Sequence, residues 1–133
     1  MKAIERFEQY SKNRNQDQKD NYKSLDGGQS SKILFITCSD SRVMPNEMMG
    51  AKAGEVFVIR NAGNLIPGSS SGSSAEALTL EYAVSVLGVE EIIVCGHAQC
   101  GAMGGILDLD KLTSLKCVHE PVSYTHLTLP TKA

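Results

Sequence analysis

Two short segments of this sequence carry side chains that bind metal ions, and each segment follows an apolar run. In the first segment, Cys38, Asp40 and Arg42 stand at alternate positions. Successive side chains of an extended chain point to opposite faces, so this spacing predicts that the three side chains share one face. That face would then carry a thiol, a carboxylate and a guanidinium.

The second segment contains His97 and Cys100, three residues apart. This spacing lets a tight turn or a first helical turn aim both side chains at one ion, and a helix N-terminus there favours a thiolate at Cys100. If the two apolar runs form neighbouring parallel strands, their carboxyl ends bring Cys38 beside this pair. Two thiolates and one imidazole suit zinc, with a fourth position open for water. We therefore predict a zinc site at these three residues.

Each of these residues also has a simpler interpretation. A single buried cysteine is usually a small core residue, and Asp40 with Arg42 could be a surface ion pair of little energetic value. The convergence of three ligand types at two strand ends favours the metal site instead. We interpret Asp40 and Arg42 as a pair in which the arginine keeps the carboxylate ionised and oriented toward a metal-bound hydroxide. Cys95, inside the second apolar run, is expected to pack in the core.

The elements that must position these residues alternate along the chain. Residues 13–29 are polar and predict a loop or frayed helix, and residues 67–73 predict a mobile loop. Apolar periodicity predicts strands over 32–37, 55–60 and 91–95 and helices over 3–12, 75–87 and 101–111, with a loop or short helix over 45–49. Strands that alternate with helices predict an α/β fold with a parallel sheet, in which sites form at the carboxyl ends of strands.

The composition predicts one globular domain. The chain has 133 residues, of which 41% are hydrophobic, and a formal net charge of −2. This length suits a single core, and this charge provides no field that would hold a nucleic acid or an anionic membrane. No apolar run approaches the roughly 18 residues of a membrane span. We expect no nucleic-acid or membrane partner, a cytoplasmic location, and cysteines that are reduced or metal-bound.

The two segments together resemble a known signature. Cys38-Ser39-Asp40-Ser41-Arg42 with His97-Ala98-Gln99-Cys100-Gly101 closely resembles the paired signature of the β-class carbonic anhydrases, and residues 28–30, 54–64 and 81–84 match supporting segments in order. The resemblance covers about residues 3–120. It implies a Rossmann-like, mostly parallel sheet flanked by helices, assembled as a homodimer or higher homo-oligomer. It also implies zinc-dependent reversible hydration of carbon dioxide to bicarbonate and a proton, by attack of zinc-bound hydroxide.

The same resemblance implies a role for each residue of the site. It assigns one zinc ion per subunit to the two cysteines and the histidine of the signatures, and the catalytic pair to Asp40 and Arg42. The positions that it implies contact carbon dioxide or bicarbonate are Gln29, Phe57, Ala62, Tyr82 and Gly101. Two of these, Phe57 and Tyr82, are implied to reach the pocket of a neighbouring subunit.

The chain departs from the family pattern after about Glu120, because family members continue with helices and a further strand. We therefore expect residues 1–120 to be an incomplete domain that lacks the last strand and C-terminal helices of the family. Residues 121–133 are expected to be a tail that is not native to the fold, and the chain alone to be poorly stable and weakly active or inactive. Two alternatives stay open: a non-catalytic zinc-binding fragment, and a carbonyl sulfide or carbon disulfide hydrolase. A thiol redox protein is disfavoured because the sequence has no Cys-x-x-Cys pair.

Overall fold

A three-stranded parallel sheet forms the centre of the molecule. The computed structural model describes residues 2–68, 72–108, 110 and 113–114. The strands are β1 (Ile33–Cys38), β2 (Val56–Asn61) and β3 (Glu91–Cys95), in the order β2-β1-β3. Both pairings of β1 are parallel, and Cys38 lies opposite Asn61 while Thr37 lies opposite Cys95. The predicted parallel α/β sheet is confirmed, and the carboxyl ends of all three strands meet at one edge.

In the part of the chain that the structure describes, five helices connect and flank the strands. They are α1 (Ala3–Asn13), α2 (Gln16–Ser24), α3 (Pro45–Met48), α4 (Ala75–Tyr82), which continues into a π-helical turn at Ala83–Leu87, and α5 (Gly101–Ile106). The described core cluster contains Leu34, Ile36, Ile59 and Ala83. This cluster joins β1 and β2 to the end of α4, and burial of apolar area stabilises it at about 25 cal/mol per Å².

The polar stretch 13–29, predicted as a loop or frayed helix, contains a regular helix. Asn15 caps α2: its side-chain oxygen accepts a hydrogen bond from the backbone N–H of Gln18 at 2.8 Å, and Oε1 of Gln18 accepts one from the backbone N–H of Asn15 at 3.0 Å. This reciprocal capping box satisfies two backbone donors that a helix start leaves without partners. The apolar periodicity that predicts the other helices is absent from α2, so the cap is its local signal.

The helix α4 begins at Ala75, the predicted first residue. The hydroxyl of Ser74 accepts a hydrogen bond from the backbone N–H of Ala77 at 3.0 Å, which makes Ser74 the N-cap. The π-helical turn ends at Gly88, whose φ of +62° lies in the left-handed region that glycine adopts without strain. The predicted mobile loop over 67–73 includes residues 69–71, which lie outside the described residues.

The outer strand β3 has β1 as its partner among the described residues, and Ile92 and Val94 are exposed on it. The predicted tail over 121–133 lies outside the described part of the chain, as does most of the stretch after α5. Each described helix is too short or too polar to span a bilayer.

Candidate metal centre

The three predicted zinc ligands lie together at the carboxyl edge of the sheet. Cys38 is the last residue of β1, His97 lies in the turn after β3, and Cys100 immediately precedes α5. Their ligand atoms all lie within 4.8 Å of one another, and the two Sγ atoms are 3.9 Å apart. Two sulfurs about 2.3 Å from one zinc ion in a tetrahedron are separated by about 3.8 Å. The spacing of the thiols therefore fits a tetrahedral zinc ion.

The imidazole of His97 offers one nitrogen to this cluster. In the tautomer protonated on Nδ1, the Nδ1–H group donates to the carbonyl oxygen of Ala98 at 3.0 Å. The Nε2 atom is buried and has no hydrogen-bond partner among the described residues. A buried polar atom without a partner is costly, so Nε2 is well placed to bind a metal ion. The donor set therefore fits a metal ion bound through Nε2.

The surroundings of Cys38 favour the thiolate form. The backbone N–H of Gly63, in the turn after β2, donates to Sγ of Cys38 at 3.3 Å. Burial raises the pKa of the Cys38 thiol, but the backbone N–H groups of Gly63 and Asp40 and the nearby side chains of His97 and Cys100 outweigh burial and lower the pKa to about 7. A thiolate, not a thiol, is the metal-binding form of cysteine.

Asp40 and Arg42 form a close pair, in a turn rather than in an extended strand. Oδ1 of Asp40 accepts hydrogen bonds from the backbone N–H and the Nε–H of Arg42, both at 2.9 Å, and Oδ2 accepts one from Nη2 at 2.8 Å. The predicted alternation through Arg42 is wrong, because β1 ends at Cys38 and the carboxylate of Asp40 holds a local turn. The side chains nevertheless meet, as predicted, through a two-pronged ion pair.

This pair keeps a carboxylate beside the metal centre. Hydrogen bonds from the side chain and backbone of Arg42 hold the pKa of Asp40 well below its usual range. The side chain of Asp40 is 22% exposed, and its Oδ2 lies 3.8 Å from Nδ1 of His97. Asp40 is therefore ionised at neutral pH and lies at the rim of the cluster.

Two residues that the sequence did not indicate hold the site in place. The guanidinium of Arg60 donates to the carbonyl oxygens of Cys38 at 3.2 Å, of Asp40 at 2.9 Å and of Val43 at 2.9 Å. The buried hydroxyl of Thr37 donates to the carbonyl oxygen of Cys95 at 2.9 Å, which ties the ends of β1 and β3 together. Both residues contact backbone oxygens, and such contacts leave no pattern in the sequence.

The residues that the resemblance implied for substrate contact are spread more widely. Gln29 is exposed in the loop before β1, and Ala62, beside Gly63, and Gly101, beside Cys100, are exposed as well. The rings of Phe57 and Tyr82 pack together with centroids 6.1 Å apart. Phe57 pairs with Leu34, four residues before Cys38, and four residues of strand span about 13 Å. The structure therefore places this aromatic pair away from the thiols of the same chain, and the substrate contacts stay predictions.

The fold and the site define a parallel α/β domain with a Cys-His-Cys metal centre, and comparison with known proteins identifies its family. A sequence model of the carbonic anhydrase family matches residues 33–128. A carbonic anhydrase from Pseudomonas aeruginosa is 50% identical over 97 residues, which cover 73% of this chain and 44% of that protein. The chain therefore belongs to the β-class carbonic anhydrase family, as the resemblance of its two signatures indicated.

Solved structures agree with this assignment. The structure of the β-carbonic anhydrase CcaA superposes with a TM-score of 0.87 at 41% identity, covering 93% of this chain and 61% of that chain. One of two tetrameric β-carbonic anhydrases from Sordaria macrospora superposes with a TM-score of 0.68 at 27% identity, covering 94% of this chain and 75% of that chain. The chain spans between 35% and 44% of the length of three similar curated relatives.

Proposed function

We propose that this chain carries the zinc site of an enzyme that reversibly hydrates carbon dioxide to bicarbonate and a proton. The observation that carries the proposal is the cluster of Cys38, His97 and Cys100, whose ligand atoms lie within 4.8 Å of one another and whose buried Nε2 has no hydrogen-bond partner among the described residues. Two soft thiolates and an imidazole favour zinc over the hard cations that prefer oxygen ligands. Family membership supplies the reaction, since the proteins that this chain resembles are named carbonic anhydrases.

Zinc, when bound, supplies the Lewis acidity that makes water a nucleophile near neutral pH. The residues of this chain orient the reacting groups. The ionised carboxylate of Asp40 can only accept hydrogen bonds, so it orients a donor O–H group at the rim of the cluster. Because its pKa lies well below its usual range, Asp40 is a poor proton acceptor at neutral pH. Its proposed role is therefore to position a reacting group, and Arg42 fixes the plane of its carboxylate.

We also propose that the working protein is a homo-oligomer, a dimer or larger. The apolar residues Ile4 and Phe7 of α1 are 61% and 69% exposed, and the described structure gives α1 no buried residue. An amphipathic helix of this kind is stabilised mainly by packing of its apolar face, which a second copy can provide. The distance of Phe57 from the thiols of its own chain supports a role at a neighbouring pocket.

The hydration proposal is tested by Asp40→Asn in the zinc-loaded protein. The amide presents donors as well as an acceptor, so we expect zinc content to stay at the wild-type level while the hydration rate falls about 10–100-fold. Stopped-flow assay of carbon dioxide hydration and metal analysis measure the two quantities. Asp26→Asn, in the turn after α2, serves as the control and should leave both unchanged.

Two results would contradict the proposal. One is a zinc-loaded protein, extended with a homologous C-terminal segment, that does not hydrate carbon dioxide, and the other is an Asp40→Asn variant whose hydration rate is unchanged. A parallel assay with carbonyl sulfide separates the proposed reaction from the hydrolase alternative. The cytoplasmic location expected from the sequence stays a prediction.

A further inference from the structure

The turn after β2 brings a glycine against the thiol of Cys38 and against the helix that follows Cys100. Gly63 is buried, and its backbone N–H donates to Sγ of Cys38 at 3.3 Å. Its φ of +81° lies in the left-handed region that side chains rarely allow. The residue is thus held in a conformation suited to glycine, with its one hydrogen-bond donor aimed at a thiol.

The same glycine also lets α5 come close. A Cβ atom placed on Gly63 would lie 2.9 Å from Cβ of Ala102, closer than real Cβ atoms approach one another. Ala102 lies in the first turn of α5, two residues after Cys100. A side chain at Gly63 must therefore displace either the turn or α5. Displacing α5 would also move Cys100, which immediately precedes it.

A side-chain clamp holds this turn in place. Nδ2 of Asn61 donates to the carbonyl oxygen of Leu65 at 2.6 Å, and Oδ1 of Asn61 accepts a hydrogen bond from the backbone N–H of Leu65 at 2.8 Å. The clamp closes the turn over residues 61–65, so Gly63 cannot easily turn its N–H away from the thiol.

We propose that Gly63 is a positioning residue of the metal centre, which keeps the thiols of Cys38 and Cys100 at chelating distance. It does so by donating its N–H to one thiol and by admitting the helix that carries the other. A hydrogen bond to a ligand sulfur also withdraws charge from it, and outer contacts of this kind tune bound metals. The inference rests on the proposed zinc site and deepens it.

The test substitutes both sides of the contact and uses cobalt(II) as the probe, because its thiolate charge-transfer absorption reports on the metal–sulfur bonds. Gly63→Ala should lower cobalt affinity about 10–100-fold, the usual range for outer contacts of a metal site, and shift the absorption. The double variant Gly63→Ala with Ala102→Gly removes the close approach but not the strained φ, so it should recover part of the affinity and of the wild-type spectrum. Ala102→Gly alone should resemble the wild type.

Two further variants separate positioning from general stability. Gly50→Ala places a side chain at a φ of +60° with no atom within 4 Å, so it should cost stability without altering the cobalt spectrum. Ala102→Val enlarges the other side of the contact without straining Gly63, and should weaken cobalt binding in the same direction as Gly63→Ala. Circular dichroism confirms that each variant is folded before it is compared.

Wild-type affinity and spectrum in folded Gly63→Ala would overturn the inference, and so would a double variant that recovers nothing. The proposed function would survive either result if the zinc-loaded wild type hydrates carbon dioxide. Conversely, the expected cobalt results in a protein without hydration activity would support the positioning role and refute the proposed reaction.

Discussion

The strands β1 and β3 lead to ligands of the same metal centre, yet their surroundings differ. Five of the six residues of β1 are buried, whereas none of the five residues of β3 is. Ile92 and Val94 of β3 are 51% and 64% exposed. In the described part of the chain, β1 has a strand on each side and β3 has β1 alone. The comparison indicates that the buried strand β1 supports the site. It also indicates that His97 is positioned by the pairing of β3 with β1.

Replacing the thiols of Cys38 and Cys100 should have the largest effect on zinc binding. Cys38→Ser and Cys100→Ser should each weaken zinc binding by more than the roughly 100-fold upper range of outer contacts, because each removes a direct ligand. Cys95→Ser, inside β3, should keep the wild-type affinity and serves as the matched control. Competition with a chromogenic chelator measures the affinities. Comparable loss in Cys95→Ser would mean that β3 contributes a ligand from within the strand.

Truncating one apolar side chain in each strand should show that β1 contributes more than β3 to the free energy of unfolding. Leu34→Ala removes a fully buried side chain from the core cluster, and we expect a loss of about 2–5 kcal/mol in the free energy of unfolding. Val94→Ala removes an exposed side chain, and we expect a change of at most about 0.5 kcal/mol. Urea unfolding measures both. A large loss from Val94→Ala would show that β3 is covered in solution by more chain or by a second copy.

Removing the hydrogen bond between the ends of β1 and β3 should have a moderate effect on stability and zinc binding. Thr37→Val keeps the shape of the side chain but removes the bond to the carbonyl oxygen of Cys95, so we expect a loss of about 1 kcal/mol in stability and weaker zinc binding. Thr79→Val also removes a hydroxyl bond to a backbone oxygen, at 2.6 Å within α4, and is the control for metal binding. Equal zinc affinity in the two variants would mean that this bond does not position His97.

Near neutral pH, the smallest expected effect is a dependence of stability on pH in the metal-free protein. The folded state lowers the pKa of Cys38 from 9.0 to about 7, so the thiolate is favoured by folding. This contribution is present above the unfolded pKa and is lost as the pH falls through about 7. Ultraviolet thiolate absorbance should therefore show a step near pH 7 that Cys38→Ser removes. Persistence of that step in Cys38→Ser would assign it to another thiol.

Much of the fold could be predicted from local pattern. The apolar runs before Cys38 and His97 predicted β1 and β3, and the alternation of strands and helices predicted a parallel sheet. The boundaries of β1 and β2 differ by one residue from the prediction. The helix α2 was predicted only as a loop or frayed helix, because its signal is a capping pair, Asn15 with Gln18, and not an apolar face.

The sequence by itself determined which side chains can bind the metal, because thiols, imidazole and their spacing are properties of the residues. Only the tertiary structure decided how they are held. The N–H of Gly63, the hydroxyl of Thr37 and the guanidinium of Arg60 each act on an atom distant in the chain. Two of these contacts end on backbone oxygens, and the third begins at a backbone N–H. Every residue carries such groups, so only the folded chain selects which of them lie at the metal centre.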